Sequence, residues 1–318
     1  MNQNEVKMFL GRNFSNVVNV SHSDDCPDCE LKDCVYGFST TSKVVFVLLS
    51  LICGIIAIGG NFALLVALNR TPPFRHRVNY DFTVSLAIAD FLIGVTMTPL
   101  YICYAVEYYP SWLIKLEGFL WIVTVTATTY SLSAVSLDRF ISVVYPLHYP
   151  QVITEKRCRI VIFVIWFGSV IFGFPRLVLD DFVKLEKLWI ASSIATVAIP
   201  LLIMSFSYGK IFSVVQKANR SVAEQNANST SVTLGNKKAA VTIGIIVSLF
   251  IATFIPTAIV YFMLLFEDDP CKELELNDVW MWVALVSFLH SSFNPWVYGL
   301  RYRELRKALK DFLTEDNT

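Results

Sequence analysis

A chain of 318 residues that is 55% hydrophobic and only 16% charged, with a mean hydropathy of +0.55, is too apolar for an ordinary soluble globular domain. Its 26 basic and 26 acidic residues cancel to a net charge of zero. The composition places it in a lipid bilayer, and no nucleic-acid partner is expected.

Residues 1–43 read as a polar tail carrying the sequons Asn13-Phe14-Ser15 and Asn19-Val20-Ser21 and the cysteines Cys26, Cys29 and Cys34. No apolar run precedes residue 44, so span one is expected to act as an uncleaved insertion signal. A hydrocarbon core about 30 Å thick needs roughly 20 apolar helical residues. Seven runs reach that length, over about residues 44–69, 78–104, 116–144, 158–177, 188–215, 239–266 and 279–300. The fold class is therefore all-α membrane protein, a seven-transmembrane helix bundle over 44–300. Pro99, Pro200, Pro256 and Pro295 fall inside these runs, where a bundle tolerates the freed carbonyls and the expected result is a kink able to hinge. The linker over about 216–236 is rich in Ser, Asn, Thr and Ala and is expected to be mobile. Residues 301–318, with Arg301, Arg303, Arg306, Lys307 and Lys310, read as a short amphipathic C-terminal helix and tail.

Charge gives the orientation. With the N-terminus outside, the loops after spans one, three and five and the C-terminal tail hold most of the basic residues, while Asp24, Asp25, Asp28, Asp180, Asp181 and Glu267 to Asp269 gather on the other side. This is the positive-inside bias. The expected address is the plasma membrane, multi-pass, with Asn13 and Asn19 as glycosylation sites. Asn219 and Asn228 begin equally good sequons but face the cytoplasm and are expected to stay bare. Cys26, Cys29, Cys34 and Cys271 fall outside, which allows two disulfides in one of three connectivities. A bridge from the N-terminal cluster to Cys271 is preferred, and a metal knuckle at Cys26-x-x-Cys29 is the alternative. Cys53, Cys103 and Cys158 read as packed small apolar residues.

Two clusters put ionisable or amide groups where a membrane helix tolerates them only with partners: Asp138-Arg139-Phe140 at the end of span three and Asn294-Pro295-Trp296-Val297-Tyr298 at the end of span seven. Each is a functional-site candidate. Asp90 lies about 18 Å along span two, where a carboxylate costs roughly 3 kcal/mol to insert. It requires polar company, for which Asn61, Thr128, Ser291 and Asn294 are the candidates.

Taken in order, Asn61, Leu86-Ala87-Ile88-Ala89-Asp90, Asp138-Arg139-Phe140, Trp166, Pro200 with Tyr208, Pro256, and Asn294-Pro295-x-x-Tyr298 supply one marker on each span. Over nearly its whole length the chain resembles the rhodopsin-like (class A) G-protein-coupled receptors. That resemblance implies an extracellular ligand bound within the bundle and a heterotrimeric G-protein partner activated by movement of span six. It assigns coupling and activation to Asp138, Arg139, Leu147, Tyr208, Pro256, Asn294, Pro295 and Tyr298. It also implies a sodium ion at Asp90, with Thr128 and Ser291. The other reading of Asp90 is a hydrogen-bonded network without an ion, because His290 stands where the family usually has a further Asn. Asn236, where many relatives carry an acid, leaves span six without its usual ionic clamp, so some basal activity is expected.

The departures bear on the outer face and the ligand. Where the family has the Cys of its usual disulfide the chain has Ile114, and the second outer loop is expected to be short, about Leu179 to Lys187. These features resemble the melanocortin receptors, whereas Pro146-Leu147-His148-Tyr149 and the tail over 301–309 resemble the adenosine receptors. By position the ligand pocket comprises Tyr101, Glu117, Trp121, Ile122, Val125, Ser192, Ser193, Thr196, Phe254, Thr257, Tyr261 and Phe288, an apolar and aromatic cup. Amine receptors have an Asp at the position of Trp121, so a monoamine is not expected, and a peptide, nucleoside or lipid remains open. Glu107 and Glu117 either attract a basic ligand or are solvated rim charges.

Rival classes find less support. An opsin needs a Lys in span seven, and residues 279–298 contain none. A transporter is expected to show paired repeats or broken helices at a midplane site, and an enzyme a converging set of nucleophile, base or metal ligands. No cofactor is expected apart from the sodium ion. A receptor-fold protein with a constitutive or chaperone role, without ligand-driven coupling, is the closer alternative.

Overall fold

The computed structural model describes residues 38–70, 80–106, 108, 110–225, 231–267 and 269–301, and no strand occurs among them. In chain order, α1 (Thr40–Arg70), α2 (Asp81–Ala105) and α3 (Ser111–Val144) are spans one to three. A short α4 (Tyr149–Val152) precedes span four, α5 (Glu155–Gly173), which Pro175 ends by opening the four-residue α6 (Pro175–Val178). Span five is α7 (Phe182–Ser193), a π-helical turn over Ile194–Ala198 and α8 (Ile199–Gln225). Span six is α9 (Ser231–Phe266), and span seven is α10 (Pro270–Ser287) with α11 (Leu289–Arg301).

Six helices are long and apolar enough to cross a membrane among the described residues. The seventh apolar run is carried by two helices that meet at Phe288, where the Phe288 N–H donates to Leu285 O and the Ser291 N–H to Phe288 O. Those bonds reach back three residues and tighten the turn, as in a 3₁₀ step. The Ser287 hydroxyl, donating to Ala284 O, competes with the regular ladder at the same place. A hydrophobicity pattern does not register such a break, because the polar residues Ser287, His290, Ser291 and Ser292 that surround it are common inside spans and name no turn.

Span three is the centre. Its most apolar stretch is 83% buried, against 17% for span four, and it packs on α2, α5, α6, α8 and α9. The outer faces of the other spans show large apolar side chains such as Ile55, Phe163, Leu202 and Phe262. In water these would be a liability, and in a bilayer they are the solvent contact. Spans one and two touch closely at Gly94, where a Cβ would lie 2.8 Å from the Ile58 side chain and 3.2 Å from its backbone nitrogen.

Several expected boundaries move. The loop expected over about Leu179 to Lys187 shrinks to 179–181, because Asp181 caps α7 by accepting the Lys184 N–H at 3.1 Å, a favourable N-cap. Spans five and six run further into the linker than their apolar cores, to Gln225 and from Ser231. Pro200 sits two residues inside α8, directly after the π turn. It has no N–H to give the turn before it, and a widened turn is one way for a helix to absorb that loss. The N-terminal tail, the first loop over 71–79 and the proposed C-terminal amphipathic helix over 302–318 lie outside the described residues.

Candidate functional site

One end of the bundle is organised around Asp138. Its carboxylate is almost wholly buried: Oδ2 pairs with the Arg139 guanidinium, and Oδ1 accepts the Tyr149 hydroxyl at 2.7 Å. Burial and the Asp138 carboxylate hold the Tyr149 phenol well above its ordinary value, so it remains a donor. Beside this knot Leu147 is 86% exposed. Phe140 packs against Tyr145 and Phe206, with ring centroids 5.8 and 5.7 Å apart. Tyr208 lies against Gly244 of span six, within 3.4 Å of a Cβ placed there. Pro256 lies inside α9 and Pro295 inside α11. The side chain of Tyr298 lies outside the described residues.

The middle of the bundle holds a polar layer. Asp90, fully buried, accepts the Ser291 hydroxyl at 2.8 Å and the Asn294 amide at 2.6 Å. His290 Nε2 stands 3.7 Å from the same carboxylate. Its Nδ1 faces Ser287 O, which only accepts, so Nδ1 carries a proton. Asn61 Nδ2 donates to Ala57 O and Ser291 O, both at 2.9 Å, and ties span one to span seven. Trp166 Nε1–H donates to Ser85 Oγ at 3.1 Å, and Ser85 bonds Ser131 at 2.9 Å, joining spans two, three and four. A hard cation takes oxygen ligands. The Asp90 carboxylate and the Ser291 hydroxyl bonded to it supply oxygens of that kind, and Thr128 on span three adds a buried hydroxyl that has no hydrogen-bond partner among the described residues, so the types of donor present fit a sodium ion.

The far end forms an aromatic cup. Trp121 packs on Trp280 at 5.6 Å and on Phe288 at 5.1 Å, Tyr101 stacks on Phe288 at 5.5 Å, and Tyr261 meets Trp280 at 6.1 Å. Ile122, Val125 and Phe254 are buried in the same core. Phe254 stacks on Phe250 at 4.3 Å, and both rings meet His290 at 5.4 Å, so aromatic contact leads to the Asp90 layer. Three of the pocket hydroxyls donate hydrogen bonds to backbone carbonyls: Ser192 to Trp189 O, Thr196 to Ser192 O and Thr257 to Val283 O. Ser193 is half-buried beside them. Glu117, half-buried one turn from Trp121, interacts electrostatically with Arg176. Cys271 is disulfide-bonded, Cys53, Cys103 and Cys158 are free, and Cys26, Cys29 and Cys34, like Asn13, Asn19 and Glu107, lie outside the described residues.

The model of the seven-transmembrane receptors of the rhodopsin family matches residues 60–298, from the residue before Asn61 to Tyr298. The chain belongs to that family. It is thus a multi-pass membrane receptor rather than an enzyme. Similar proteins are the adenosine receptor A2b of Gallus gallus, 27% identical over 86% of this chain and 90% of the relative, and the histamine H2 receptor of Cavia porcellus, 26% identical over 85% and 79%. The trace amine-associated receptor 2 of Mus musculus is 29% identical over 81% of each. Against this background three residues of the receptor were not assigned a role from sequence. Tyr149 reaches Asp138 only once α4 folds back, Tyr130 donates to Ala195 O of the π turn at 2.9 Å, and Arg176 is buried at the end of span four. A buried Arg has a sequence signal, since Arg176 follows Pro175 within an apolar stretch. Tyr149 and Tyr130 have none.

Proposed function

We propose that the receptor sits in the plasma membrane with its N-terminus outside, binds an extracellular ligand in the aromatic cup and activates a heterotrimeric G-protein through movement of span six. The observation that carries this reading is the knot of Asp138, Arg139 and Tyr149 beside the exposed Leu147. Asp138 restrains a guanidinium that, once released, presents a fork of donors. The carbonyl end of an entering helix is the complementary surface, since its last carbonyls lack partners and carry the negative end of the dipole. Leu147 offers that helix an apolar contact. Ligand pressure on Phe288 or Phe254 reaches span six through Phe250 and the polar layer through His290. Asp90, Thr128 and Ser291 are the residues that would hold a sodium ion. Bound there, the ion would neutralise the buried carboxylate.

The relatives are named for adenosine, histamine and trace amines. Trp121 puts an indole where amine receptors have a carboxylate, and the Ser192, Thr196 and Thr257 hydroxyls already donate to backbone carbonyls. A ligand with a broad apolar or aromatic face, such as a nucleoside, peptide or lipid, suits this lining better than a monoamine. Guanine-nucleotide exchange on co-expressed G-proteins tests the reading. Exchange above background that Arg139→Ala abolishes is expected, whereas exchange indifferent to Arg139 favours a receptor-fold protein that does not couple.

A further inference from the structure

Ser50 on span one and Tyr101 on span two each bury a hydroxyl that has no hydrogen-bond partner among the described residues, and each side chain is only 1% exposed. Both line one small cavity between spans one, two and seven, in which a water's centre can sweep about 10 Å³. Cys53, Met97, Leu285 and Phe288 form much of the remaining wall. The cavity does not close by moving the helices together, because a Cβ at Gly54 would already lie 2.3 Å from Thr98 Oγ1. A buried hydroxyl left unpaired is destabilising, and lipid offers it no partner.

Size and chemistry select the occupant. A cavity of roughly 10–15 Å³ on this measure holds one water, which needs two or more polar partners. A drug-sized ligand does not fit, and a cation finds no carboxylate among the lining residues. An apolar occupant would leave both hydroxyls unsatisfied. We propose that this cavity is a binding site for one ordered water, hydrogen-bonded to the Ser50 and Tyr101 hydroxyls and linking spans one and two. The water fixes the hydroxyl end of a ring whose face stacks on Phe288, at 5.5 Å and 26°, and Phe288 in turn packs on Trp121. It is a positioning element under the cup, separate from the Asp90 layer and independent of the identity of the ligand.

A double-mutant cycle on the full-length protein in detergent tests it, with Ser50→Ala, Tyr101→Phe and the double variant compared by thermal unfolding. Each substitution removes a single oxygen and leaves the packing shape. Either single variant is expected to lower the midpoint by a few degrees, because the water keeps only one strong partner. The double variant is expected to lose no more than the worse single one. Unchanged midpoints in both single variants, or strictly additive losses, would overturn the shared water. An independent readout is the density of the unsubstituted protein at a resolution that shows waters. A peak within hydrogen-bond distance of both hydroxyls supports the site, and featureless density there refutes it.

Discussion

Arg176 Nε stands 2.6 Å from the point where a Cβ on Gly118 would lie, with Arg176 Cγ at 3.0 Å and Cδ at 3.1 Å. Span three is therefore notched by glycine to seat an arginine from the end of span four. The guanidinium is buried and donates weakly to Ile114 O at 3.4 Å, and Lys115 pairs with Asp180 at 2.6 Å next to it. By the resemblance to the family, Ile114 matches the position from which its usual disulfide would begin. The same two segments are held here by a clasp of charge and shape.

Gly118→Ala tests that clasp. The Cβ meets the middle of a buried side chain rather than its free end, so Arg176 must leave its seat, and overpacking of this kind costs about 1–3 kcal/mol. Lower thermal stability and lower surface expression are expected, with partial recovery in Gly118→Ala combined with Arg176→Ala. A fully stable Gly118→Ala protein would show that the notch is incidental.

Tyr149→Phe should raise basal signalling. It removes the donor to Asp138 Oδ1 and leaves the carboxylate with Arg139 alone, and a hydrogen bond to a charged group contributes about 1.5–3 kcal/mol. Because the phenol is held above its ordinary value, the contribution is present below that value and disappears only as pH rises past the elevated one. Physiological pH changes should therefore not mimic the substitution. Ligand-free nucleotide exchange is expected to increase several-fold in Tyr149→Phe at equal surface expression, and unchanged exchange would remove the residue from the restraint.

The bundle was legible in the sequence because lipid enforces it. Apolar length, proline placement and basic loops all report on one physical constraint, and Asp90, Asn61 and Asn294 stood out because a bilayer makes such groups scarce. Ser291 and Asn294 fell within the reach of Asp90 as expected from the residue types. What the sequence did not disclose is geometry across loops and within turns. Tyr149 depends on how α4 folds back, the break at Phe288 has no proline or glycine to mark it, and Asp181 starts α7 earlier than hydropathy suggests. Ser192, Thr196 and Thr257 were placed in the cup by position alone, and the sequence did not show that their hydroxyls donate to backbone carbonyls of the preceding turn or a neighbouring helix.

Leu147 offers a separation of stability from coupling. A side chain 86% exposed contributes little to the fold, so Leu147→Ala should leave thermal unfolding unchanged while lowering G-protein activation. Arg139→Ala should also lower activation, measured per receptor at the surface. Normal activation in both variants would argue against the proposed contact face.

Glycan mapping checks the orientation. Protein from a glycosylating cell is expected to carry glycans at Asn13 or Asn19 and none at Asn219 or Asn228, because only the first pair faces the lumen when the basic loops are cytoplasmic. Occupancy at Asn219 would invert the topology and with it the assignment of the Arg139 end to the cytoplasm.

The end of the bundle opposite Asp138 also carries a covalent restraint at Cys271, which is disulfide-bonded and lies at the start of α10, where Asp269 accepts its N–H at 2.9 Å. With Cys53, Cys103 and Cys158 free, the candidates for its partner are Cys26, Cys29 and Cys34. A bridge to any of them closes a loop of roughly 240 residues, for which the chain-entropy model gives up to about 5 kcal/mol before native strain and residual structure are subtracted. Phe38 already packs on Trp282 at 5.6 Å and Tyr104 at 5.7 Å, so the chain just after the cysteine cluster is docked against spans two and seven. Cys271→Ser is accordingly expected to lower the unfolding midpoint and surface expression. Non-reducing digestion should yield a peptide joining the N-terminal tail to Cys271. Recovery of Cys271 as a free thiol from folded protein would leave Phe38 and its aromatic neighbours as the tail's remaining attachment and would sink the covalent reading.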